Sequence, residues 1–452
     1  MLFSKDRFEL QEMRKIEDND WFYTVLQRYA EWHFVHTYRR IEFVGRENIP
    51  TDGVVIYAPN HVNGLMDPIA MLCCNHRPKV FVARADMFRK RLLVPLLRRA
   101  KIMPINRIRD GREQVKQNES VIDDAVRVLS SGTDFSIMPE ATHRPKHSLL
   151  PLGKGVFRIA YKVNEVLHGE RRVYILPIGL EYGSYYRYRS TLLVNIGKPL
   201  DVTSYIHEHS GDTSAQIYNG LSEQLTFALR GLIWWIPDDD RYVALEEACY
   251  LLHSLPRGLC EDAAPSSLQG RLQQKQRLTK RLLAYEEQHP DAAKRLYSSL
   301  ADIAAERRQH RIVASSLVAS DNTLYKRTVV CGIALLLCLP YFVFAALFTS
   351  PMWLVLLVLF HFLDDKAFLN SLRYGFVALF LPIVYLVEIV VTALYAPLQL
   401  AVVFAVLLLP SHQVFYEYLR HSQRWFSDIR LCFAKDLRRK IAGLSRKDLQ
   451  ND

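Results

Sequence analysis

The chain has 452 residues, of which 50% are hydrophobic and 11% aromatic, and this excludes a disordered or collagen-like polymer. Its 58 Lys and Arg residues against 47 Asp and Glu residues give a net charge of +11, which favours an anionic partner such as phosphorylated substrates, a lipid headgroup surface or nucleic acid. The length predicts two or three domains. The 7 Cys residues are odd in number and form no C-x-x-C pair, so we expect a reduced compartment and no structural zinc.

The N-terminal segment is rich in charged residues. Its first 18 residues, MLFSKDRFELQEMRKIED, contain no apolar run ahead of a small-residue cleavage site. We therefore expect no secretory signal, and we predict amphipathic helices over residues 1–40.

The next two hundred or so residues alternate between short β-branched runs and helical patterns. The predicted strands cover residues 54–58, 79–83, 135–138, 171–180 and 191–197, and the predicted helices cover residues 68–75, 86–100, 113–130 and 155–167. This alternation predicts an α/β domain over residues 41–235, with a central mixed sheet flanked by helices. Sheets of this kind carry their chemistry on the loops at the carboxyl ends of the strands, so functional residues are expected there.

Two apolar blocks follow a helical connector predicted over residues 236–326. Residues 329–349 are uncharged and long enough to cross a bilayer, which takes about 20 apolar residues. Residues 374–410 carry Glu388 as their only charge, and Pro382 and Pro397 are expected to break this longer block into a hairpin. We predict a transmembrane region over residues 327–410 with two or four spans. The alternative, two hydrophobic core helices in a soluble domain, is disfavoured because two such blocks in tandem are hard to bury.

Basic residues flank this apolar region on both sides, with Lys326 and Arg327 before it and a basic tail over residues 411–452 after it. By the positive-inside rule both flanks face the cytosol, which an even number of spans satisfies. We therefore expect a multi-pass protein of the cell (inner) membrane, with its catalytic domain and its C-terminal tail in the cytosol.

The first chemical motif directly follows the strand predicted over residues 54–58. It reads Asn-His-Val-Asn-Gly-Leu-Met-Asp-Pro, and it is expected to place Asp67 at a helix N-cap. On a regular helix His61 and Asp67 would point to different faces, but a turn through Asn63 and Gly64 can bring them together. A carboxylate on one imidazole nitrogen leaves the other nitrogen as a base near neutral pH. The alternative is a loop histidine beside an ordinary capping aspartate.

Three further segments carry polar or strand signals. Residues 101–107 form a short predicted strand that ends in Arg107, which could bind a phosphate or remain a solvated surface residue. Residues 138–147 read Met-Pro-Glu-Ala-Thr-His-Arg-Pro-Lys-His, a dense set of polar groups at a strand exit that could equally be a basic surface loop. Residues 175–180 read as a buried strand whose Pro-Ile-Gly end could shape an apolar slot.

In this order the four segments resemble the glycerophospholipid acyltransferase family, which includes bacterial lysophosphatidate acyltransferases. That family has an Asn-His motif followed by Asp, a Pro-x-x-Arg strand end, a Phe-Pro-Glu-Gly-Thr-Arg-Ser motif and a Val-Pro-Ile motif. The resemblance covers roughly residues 40–225 and implies that His61 and Asp67 form the catalytic dyad. The implied glycerol-phosphate binders are Arg107, Glu140 and Thr142, and the predicted substrate-binding set is completed by Asn63, Arg144 and Lys146.

The chain departs from the family pattern in three places. Five residues rather than four separate His61 from Asp67, a variant similar to the yeast-type glycerol-3-phosphate/dihydroxyacetone-phosphate acyltransferases. Met138 replaces Phe and Ala141 replaces Gly in the third motif, and Arg144 is shifted by one position from the motif's Arg. These departures leave the choice of acceptor open.

The resemblance implies acyl transfer from a thioester to a hydroxyl of glycerol 3-phosphate or 1-acylglycerol 3-phosphate in phospholipid synthesis. The expected partners are this acceptor, the lipid bilayer and an acyl-CoA or acyl carrier protein thioester as co-substrate, with no metal and no other cofactor. The alternative is an inactive membrane scaffold or lipid-binding protein with an acyltransferase-like domain. Nucleic-acid binding rests on net charge alone and is not expected in a chain with transmembrane blocks.

Overall fold

The computed structural model describes residues 15–18, 21–89, 94–105, 118–252, 255, 265–317, 321–363 and 365–444. Arg107 and the rest of residues 106–117 therefore lie outside the described part of the chain. The chain divides into two compact units. One unit comprises Met1–Ile233 with Asp365–Tyr374, and the other comprises Trp234–Asp364 with Gly375–Asp452.

The first unit is built on an eight-stranded mixed sheet with the order β1-β7-β6-β2-β5-β3-β4, and β8 pairs with β6. Its strands are β1 (Arg40–Val44), β2 (Gly53–Pro59), β3 (Lys79–Arg84), β4 (Ile102–Ile105), β5 (Asp134–Ser136), β6 (Arg172–Tyr182), β7 (Thr191–Ile196) and β8 (Leu200–Asp201). The central strand β2 runs parallel to both of its neighbours, β5 and β6, whereas β7 and β8 run antiparallel to β6. The carboxyl ends of β6, β2 and β5 therefore meet at one edge of the sheet.

Both faces of this sheet are buried. Along β2, Val54 and Ile56 belong to one hydrophobic core, while Val55 and Tyr57 belong to the other, because successive side chains of a strand point to opposite faces. Such a strand reads as a continuous apolar run, which is typical of parallel strands covered by helices on both sides.

Within the described ranges, seven α-helices of this unit lie before residue 233. They are α1 (Trp21–Thr37), α2 (Met66–Leu72), α3 (Val94–Arg99), α4 (Asn118–Ser130), α5 (Gly155–Leu167), α6 (Val202–Glu208) and α7 (Ser214–Leu232). Residues of α4, α5 and α7 fill the core on one face of the sheet, and residues of α1 and α2 fill the core on the other. Helix α7 begins with a capping box between Thr213 and Gln216, which satisfies two backbone donors of its first turn.

The predicted α/β architecture is confirmed. Each of the six predicted strands, including the short one over residues 101–107, overlaps an observed strand, and the helix predicted over residues 155–167 has the observed bounds. The edge strand β1 and the two-residue strand β8 were not predicted. The helix predicted over residues 86–100 is instead a 3-10 turn over Ala85–Arg89 and the short helix α3, and residues 90–93 lie outside the described ranges.

The second unit is helical in the residues described. Its helices are α8 (Tyr242–Tyr250), α9 (Leu268–Gln288), α10 (Pro290–Gln309), α11 (Asp321–Phe348), α12 (Ser350–His361), most of α13 (Leu369–Tyr395), α14 (Leu398–Leu408), α15 (Ser411–Phe433) and α16 (Lys435–Leu444). A buried pair between Arg307 and Glu247 ties α10 to α8 through two bonds of 2.6 and 2.7 Å. A similar pair between Arg327 and Asp428 ties α11 to α15.

Two helices in the described ranges are long and apolar enough to cross a membrane, Asn322–Phe348 and Leu369–Tyr395. A third span is counted if α14 and α15, which are bent by 46°, are taken as one. The expected hairpin break at Pro382 is wrong, because Pro382 lies inside α13, and the observed break falls at Pro397 before α14. A proline removes one backbone hydrogen bond of an apolar helix without ending it where other groups satisfy the freed carbonyl.

Candidate active site

A tight turn after β2 brings His61 and Asp67 together. Gly64 has φ +52, a left-handed backbone conformation that favours glycine, and the turn leads into α2. His61 Nδ1 lies 2.8 Å from Asp67 Oδ2, and the Asp67 side chain is fully buried. The side-by-side arrangement expected from Asn63 and Gly64 is therefore present.

The expectation that Asp67 caps a helix is wrong. Helix α2 begins at Met66, its N-cap position is Leu65, and no side chain caps it. Asp67 Oδ2 instead accepts hydrogen bonds from the backbone N–H groups of Val62, at 2.7 Å, and Asn63, at 2.8 Å. By accepting these bonds, the Asp67 carboxylate holds the preceding loop in a tight turn. The turn places the His61 side chain next to that carboxylate.

The other oxygen of Asp67 is held by a tyrosine that the sequence did not single out. Tyr182, the last residue of β6, donates its hydroxyl to Asp67 Oδ1 at 2.7 Å. Burial and the neighbouring Asp67 carboxylate raise the pKa of Tyr182 further above its ordinary value, so its hydroxyl stays protonated. The four hydrogen bonds that Asp67 accepts fix its orientation and that of the imidazole.

Asn60 and Glu140 position the backbone of His61. The Asn60 side chain pairs with the backbone of Leu180 on β6 through Oδ1, at 2.6 Å, and Nδ2, at 3.3 Å. Glu140 Oε1 accepts from His61 N at 2.7 Å, and its Oε2 accepts from Leu150 N at 2.8 Å. Burial raises the pKa of Glu140 to about 7 although the two amide bonds act to lower it. Both oxygens of this predicted substrate-binding residue are therefore engaged by the protein's own backbone.

The loop after Glu140 also contacts the backbone of His61. Arg144 N donates to His61 O at 3.2 Å, while the Arg144 side chain donates to Ser148 Oγ at 3.0 Å. Ala141, where the family motif has Gly, adopts φ +57, a left-handed conformation that costs an L-residue about 1–2 kcal/mol. The side chain of Thr142 is exposed, and that of Lys146 is partly buried. The loop thus lies beside His61.

Asn63 is buried and unsatisfied. Its side chain is 1% exposed, and neither its Oδ1 nor its Nδ2 has a hydrogen-bond partner among the described residues. An unpaired buried amide costs about 1–3 kcal/mol, so such groups call for an explanation. Arg107, the other predicted substrate-binding residue from a separate strand, lies in the part of the chain that is not described.

His143 is a second imidazole beside the first. Its ring centroid lies 5.3 Å from that of His61, with the ring planes inclined by 66°. Burial and the nearby His61 lower the pKa of His143, which favours its neutral form. The sequence places His143 in the polar loop, but the resemblance to the third motif implied a role for Arg144 and none for His143. No group of three or more side chains suited to a metal ion occurs in the ranges described.

Part of the chain matches a known protein family. Residues 40–181 match the family model described as Acyltransferase. Over these residues the α/β domain is similar to acyltransferases. The match to the acyltransferase domain begins at β1 and ends one residue before Tyr182, so it includes His61, Asp67 and Glu140.

Parts of the chain are similar to two known proteins. An uncharacterized acyltransferase from Schizosaccharomyces pombe is 25% identical over 134 residues, which are 29% of this chain and 20% of that relative. The matched segment thus spans about a fifth of the relative's length. The crystal structure of the 1-acyl-sn-glycerophosphate (LPA) acyltransferase PlsC from Thermotoga maritima is 19% identical, covers 51% of this chain and 84% of its own, and superposes with a TM-score of 0.33.

Proposed function

We propose that this protein transfers a fatty acyl group from an acyl thioester to a hydroxyl of glycerol 3-phosphate or 1-acylglycerol 3-phosphate. The observation that carries the proposal is the 2.8 Å contact between His61 Nδ1 and the buried Asp67 carboxylate. It directs the proton of the neutral imidazole to Nδ1 and leaves Nε2 as the base. Nε2 has no hydrogen-bond partner in the described part of the chain, so it is available to a substrate.

In the proposed step, His61 Nε2 takes the proton of the acceptor hydroxyl while the oxygen attacks the thioester carbonyl carbon. The carbon–sulfur bond then breaks, and the thiol leaves with the proton returned by the imidazolium. Asp67 stabilises the imidazolium and keeps the ring in place, as the aspartate does in serine hydrolases, although here no enzyme nucleophile is needed. General-base assistance of this kind contributes about 10²–10⁴ in rate.

The acceptor's phosphate is expected to bind basic side chains around this dyad. We assign this role to Arg107, supported by Arg144 and Lys146, because a guanidinium can hold a phosphate through two parallel hydrogen bonds. Thr142 and the unpaired Asn63 amide are proposed to bind hydroxyl or carbonyl oxygens of the substrates. Glu140 supports the site through the His61 backbone, since both of its oxygens already accept amide bonds.

The apolar helices suit substrates that partition into a bilayer. Two described helices have the length and composition of membrane spans, and tethering raises the local concentration of lipid substrates. We propose a multi-pass protein of the cell (inner) membrane with its catalytic domain and tail in the cytosol. The donor is acyl-CoA or acyl carrier protein, with no further cofactor.

The test is an acyl-transfer assay on membranes that contain the full chain. Labelled acyl-CoA or acyl carrier protein is supplied with glycerol 3-phosphate or 1-acylglycerol 3-phosphate, and the labelled lipid product is measured. We expect His61→Ala to lower turnover at least about a hundredfold without changing membrane association. The matched control is His207→Ala on α6, whose side chain is exposed and makes no contact with the dyad.

Two results would contradict the proposal. Near-normal transfer by His61→Ala would remove the dyad from the mechanism. Absence of product from the wild-type chain with every donor and acceptor would favour the alternative, an inactive membrane scaffold or lipid-binding protein. The paired donors and acceptors also decide which thioester and which glycerophosphate the enzyme uses.

A further inference from the structure

A segment from between two apolar helices forms part of the α/β unit. Asp365–Tyr374 follows α12, includes the first residues of α13, and is counted with Met1–Ile233 in one compact unit. Asn370 and Ser371 are each 7% exposed, although both are polar. Burial of polar side chains in a segment so distant in sequence indicates specific docking rather than chance contact.

The docked segment holds the turn that carries the catalytic dyad. Leu65 N, in the turn before α2, donates to Ser371 Oγ at 2.9 Å. A Cβ atom placed on Gly64 would lie 2.7 Å from Ser371 Oγ and 3.3 Å from a ring carbon of Phe368. Gly64 is therefore required for its left-handed φ and also for the close approach of this segment.

The far end of the segment is anchored in the core. The Tyr374 hydroxyl donates to Ala30 O at 2.8 Å, and the Tyr374 ring lies in the same hydrophobic core as Phe34 and Met66. The Asn370 side chain donates to Tyr185 O. Together with the Leu65 bond, these two bonds connect the segment to three separate parts of the unit, so it is fixed along its length.

The same segment encloses His143. Asp365 Oδ2 lies 3.4 Å from His143 Nε2, and the Phe368 ring meets the imidazole edge-on with centroids 4.5 Å apart. On its other side His143 faces His61. His143 is thus held between the docked segment and the catalytic imidazole.

We propose that Asp365–Tyr374 completes the part of the active site that binds the acceptor alcohol. In this proposal His143 accepts a hydrogen bond from a hydroxyl of that alcohol, and Asp365 is a positioning residue for His143. The inference rests on the proposed function. His143 Nε2 is buried without a hydrogen-bond partner among the described residues, and the negative charge of Asp365, 3.4 Å away, favours the tautomer that carries its proton on Nε2. Nδ1 is then the accepting nitrogen. His143 Nδ1 makes no hydrogen bond within the described residues, so a substrate hydroxyl can take that place.

The kinetic test compares His143→Ala, Asp365→Asn and the double variant in the acyl-transfer assay. We expect each to raise the KM for the acceptor about 3- to 10-fold, as for one lost hydrogen bond, with the KM for the acyl thioester unchanged. Because Asp365 acts through His143, the double variant should be no worse than His143→Ala. The Asp365 side chain is 58% exposed, so its pair with His143 contributes little to stability.

The matched control is Asp212→Asn, which removes an exposed carboxylate of the same unit away from the site. It should leave both KM values unchanged. An unchanged acceptor KM in Asp365→Asn, or effects that multiply in the double variant, would overturn the role given to Asp365.

A second measurement tests whether the segment docks on the Gly64 turn, and it needs no activity assay. Ser371→Ala removes the acceptor of the Leu65 N–H, so hydrogen exchange of the Leu65 amide should accelerate at least about fivefold. Unchanged exchange would overturn the docking of the segment, whether or not the wild-type chain transfers acyl groups. Absence of transfer by the wild-type chain would instead overturn the proposed function and the substrate role of His143, while exchange still decides the docking.

Discussion

Polar side chains are buried at both ends of the β2–β5 region, yet the two groups differ in how their hydrogen bonds are satisfied. At the amino ends of β3 and β5, Lys79 and Asp134 are register partners. Lys79 Nζ donates to the carbonyl oxygens of Asn75, at 3.2 Å, and Arg77, at 3.0 Å, and the Tyr57 hydroxyl donates to Asp134 at 3.2 Å. The Lys79 and Asp134 side chains of this amino-end cluster therefore find their hydrogen-bond partners within the protein.

The carboxyl-end cluster is satisfied only in part. The oxygens of Asp67 and Glu140 are all engaged, whereas His61 Nε2 and the Asn63 amide have no partners in the described part of the chain. A buried polar group without a partner is costly, so it persists where something outside the chain supplies the bond. The two clusters therefore differ in how completely their own polar atoms are paired, and the unpaired atoms of the carboxyl-end cluster lie where the proposed function places its substrates.

The largest expected effect comes from removing the charge of Asp67. Asp67→Asn can still accept the three bonds made to Oδ2, and its amide can donate to Tyr182, so the geometry is kept. We expect turnover to fall at least about a hundredfold, because the imidazolium loses its counter-charge. Turnover and the thermal unfolding midpoint are measured on the same detergent-purified protein. If the midpoint falls so far that unfolding of the variant explains the lost turnover, the result would count against a catalytic role for Asp67.

The second effect probes the amino-end cluster. Lys79→Met removes the fully buried ammonium and leaves its carbonyl partners without their donor, so unfolding should become easier by about 1–3 kcal/mol. Turnover per folded molecule should not change, since this cluster lies at the opposite edge of the sheet. Loss of turnover without loss of stability would erase the distinction between the two clusters.

The third effect is a pH dependence at Glu140. Burial raises its pKa in the folded protein from 4.5 to about 7, so the folded state favours the neutral carboxyl. The stability gained in this way is fully present below about pH 4.5 and is lost as the pH rises through about 7. Glu140→Gln lacks this titration and places an amide donor against one backbone N–H. The thermal midpoint of wild type minus that of E140Q should therefore fall as the pH rises from 4.5 to 7.5, because only wild type loses stability through this titration. A difference that grows over this range would contradict the assignment.

The smallest effect is expected at Ala141. Its φ of +57 is strained for an L-residue but free for glycine, which the family motif has at this position. Ala141→Gly should stabilise the fold by about 0.5–1 kcal/mol, because relief of strain exceeds the added entropy of the unfolded chain. Calorimetry measures the shift, and turnover should stay within about twofold of wild type. Destabilisation would show that the Ala141 methyl group contributes packing.

Local patterns predicted the parts of the molecule that depend on near neighbours in the sequence. The strands, the turn at Gly64 and the meeting of His61 with Asp67 all follow from residues within one short loop or one strand. Asp67 was wrongly expected to cap a helix, because an Asp-Pro pair does not reveal that the loop backbone competes for the same carboxylate.

Contacts between distant parts of the chain could not be predicted in this way. Tyr182 reaches Asp67 only because β6 pairs with β2, and nothing in its own segment marks it. Ser371 and Asp365 lie beside an apolar helix, where hydropathy predicts a membrane connection and not an approach to Gly64. The engagement of both Glu140 oxygens by backbone amides likewise depends on the folded loop.

The late position of Asp365–Tyr374 in the chain bears on how this protein folds during its synthesis. Residues 234–364 are synthesised between the sheet and this segment, so a nascent chain that has emerged only as far as Ile233 lacks Ser371 and Tyr374. Its dyad turn has no partner for Leu65 N, and one ring is missing from the core around Phe34. Under the proposed function, we expect α11 and α12 to leave the ribosome before the catalytic unit can finish folding, which delays acyl transfer until insertion into the bilayer is under way.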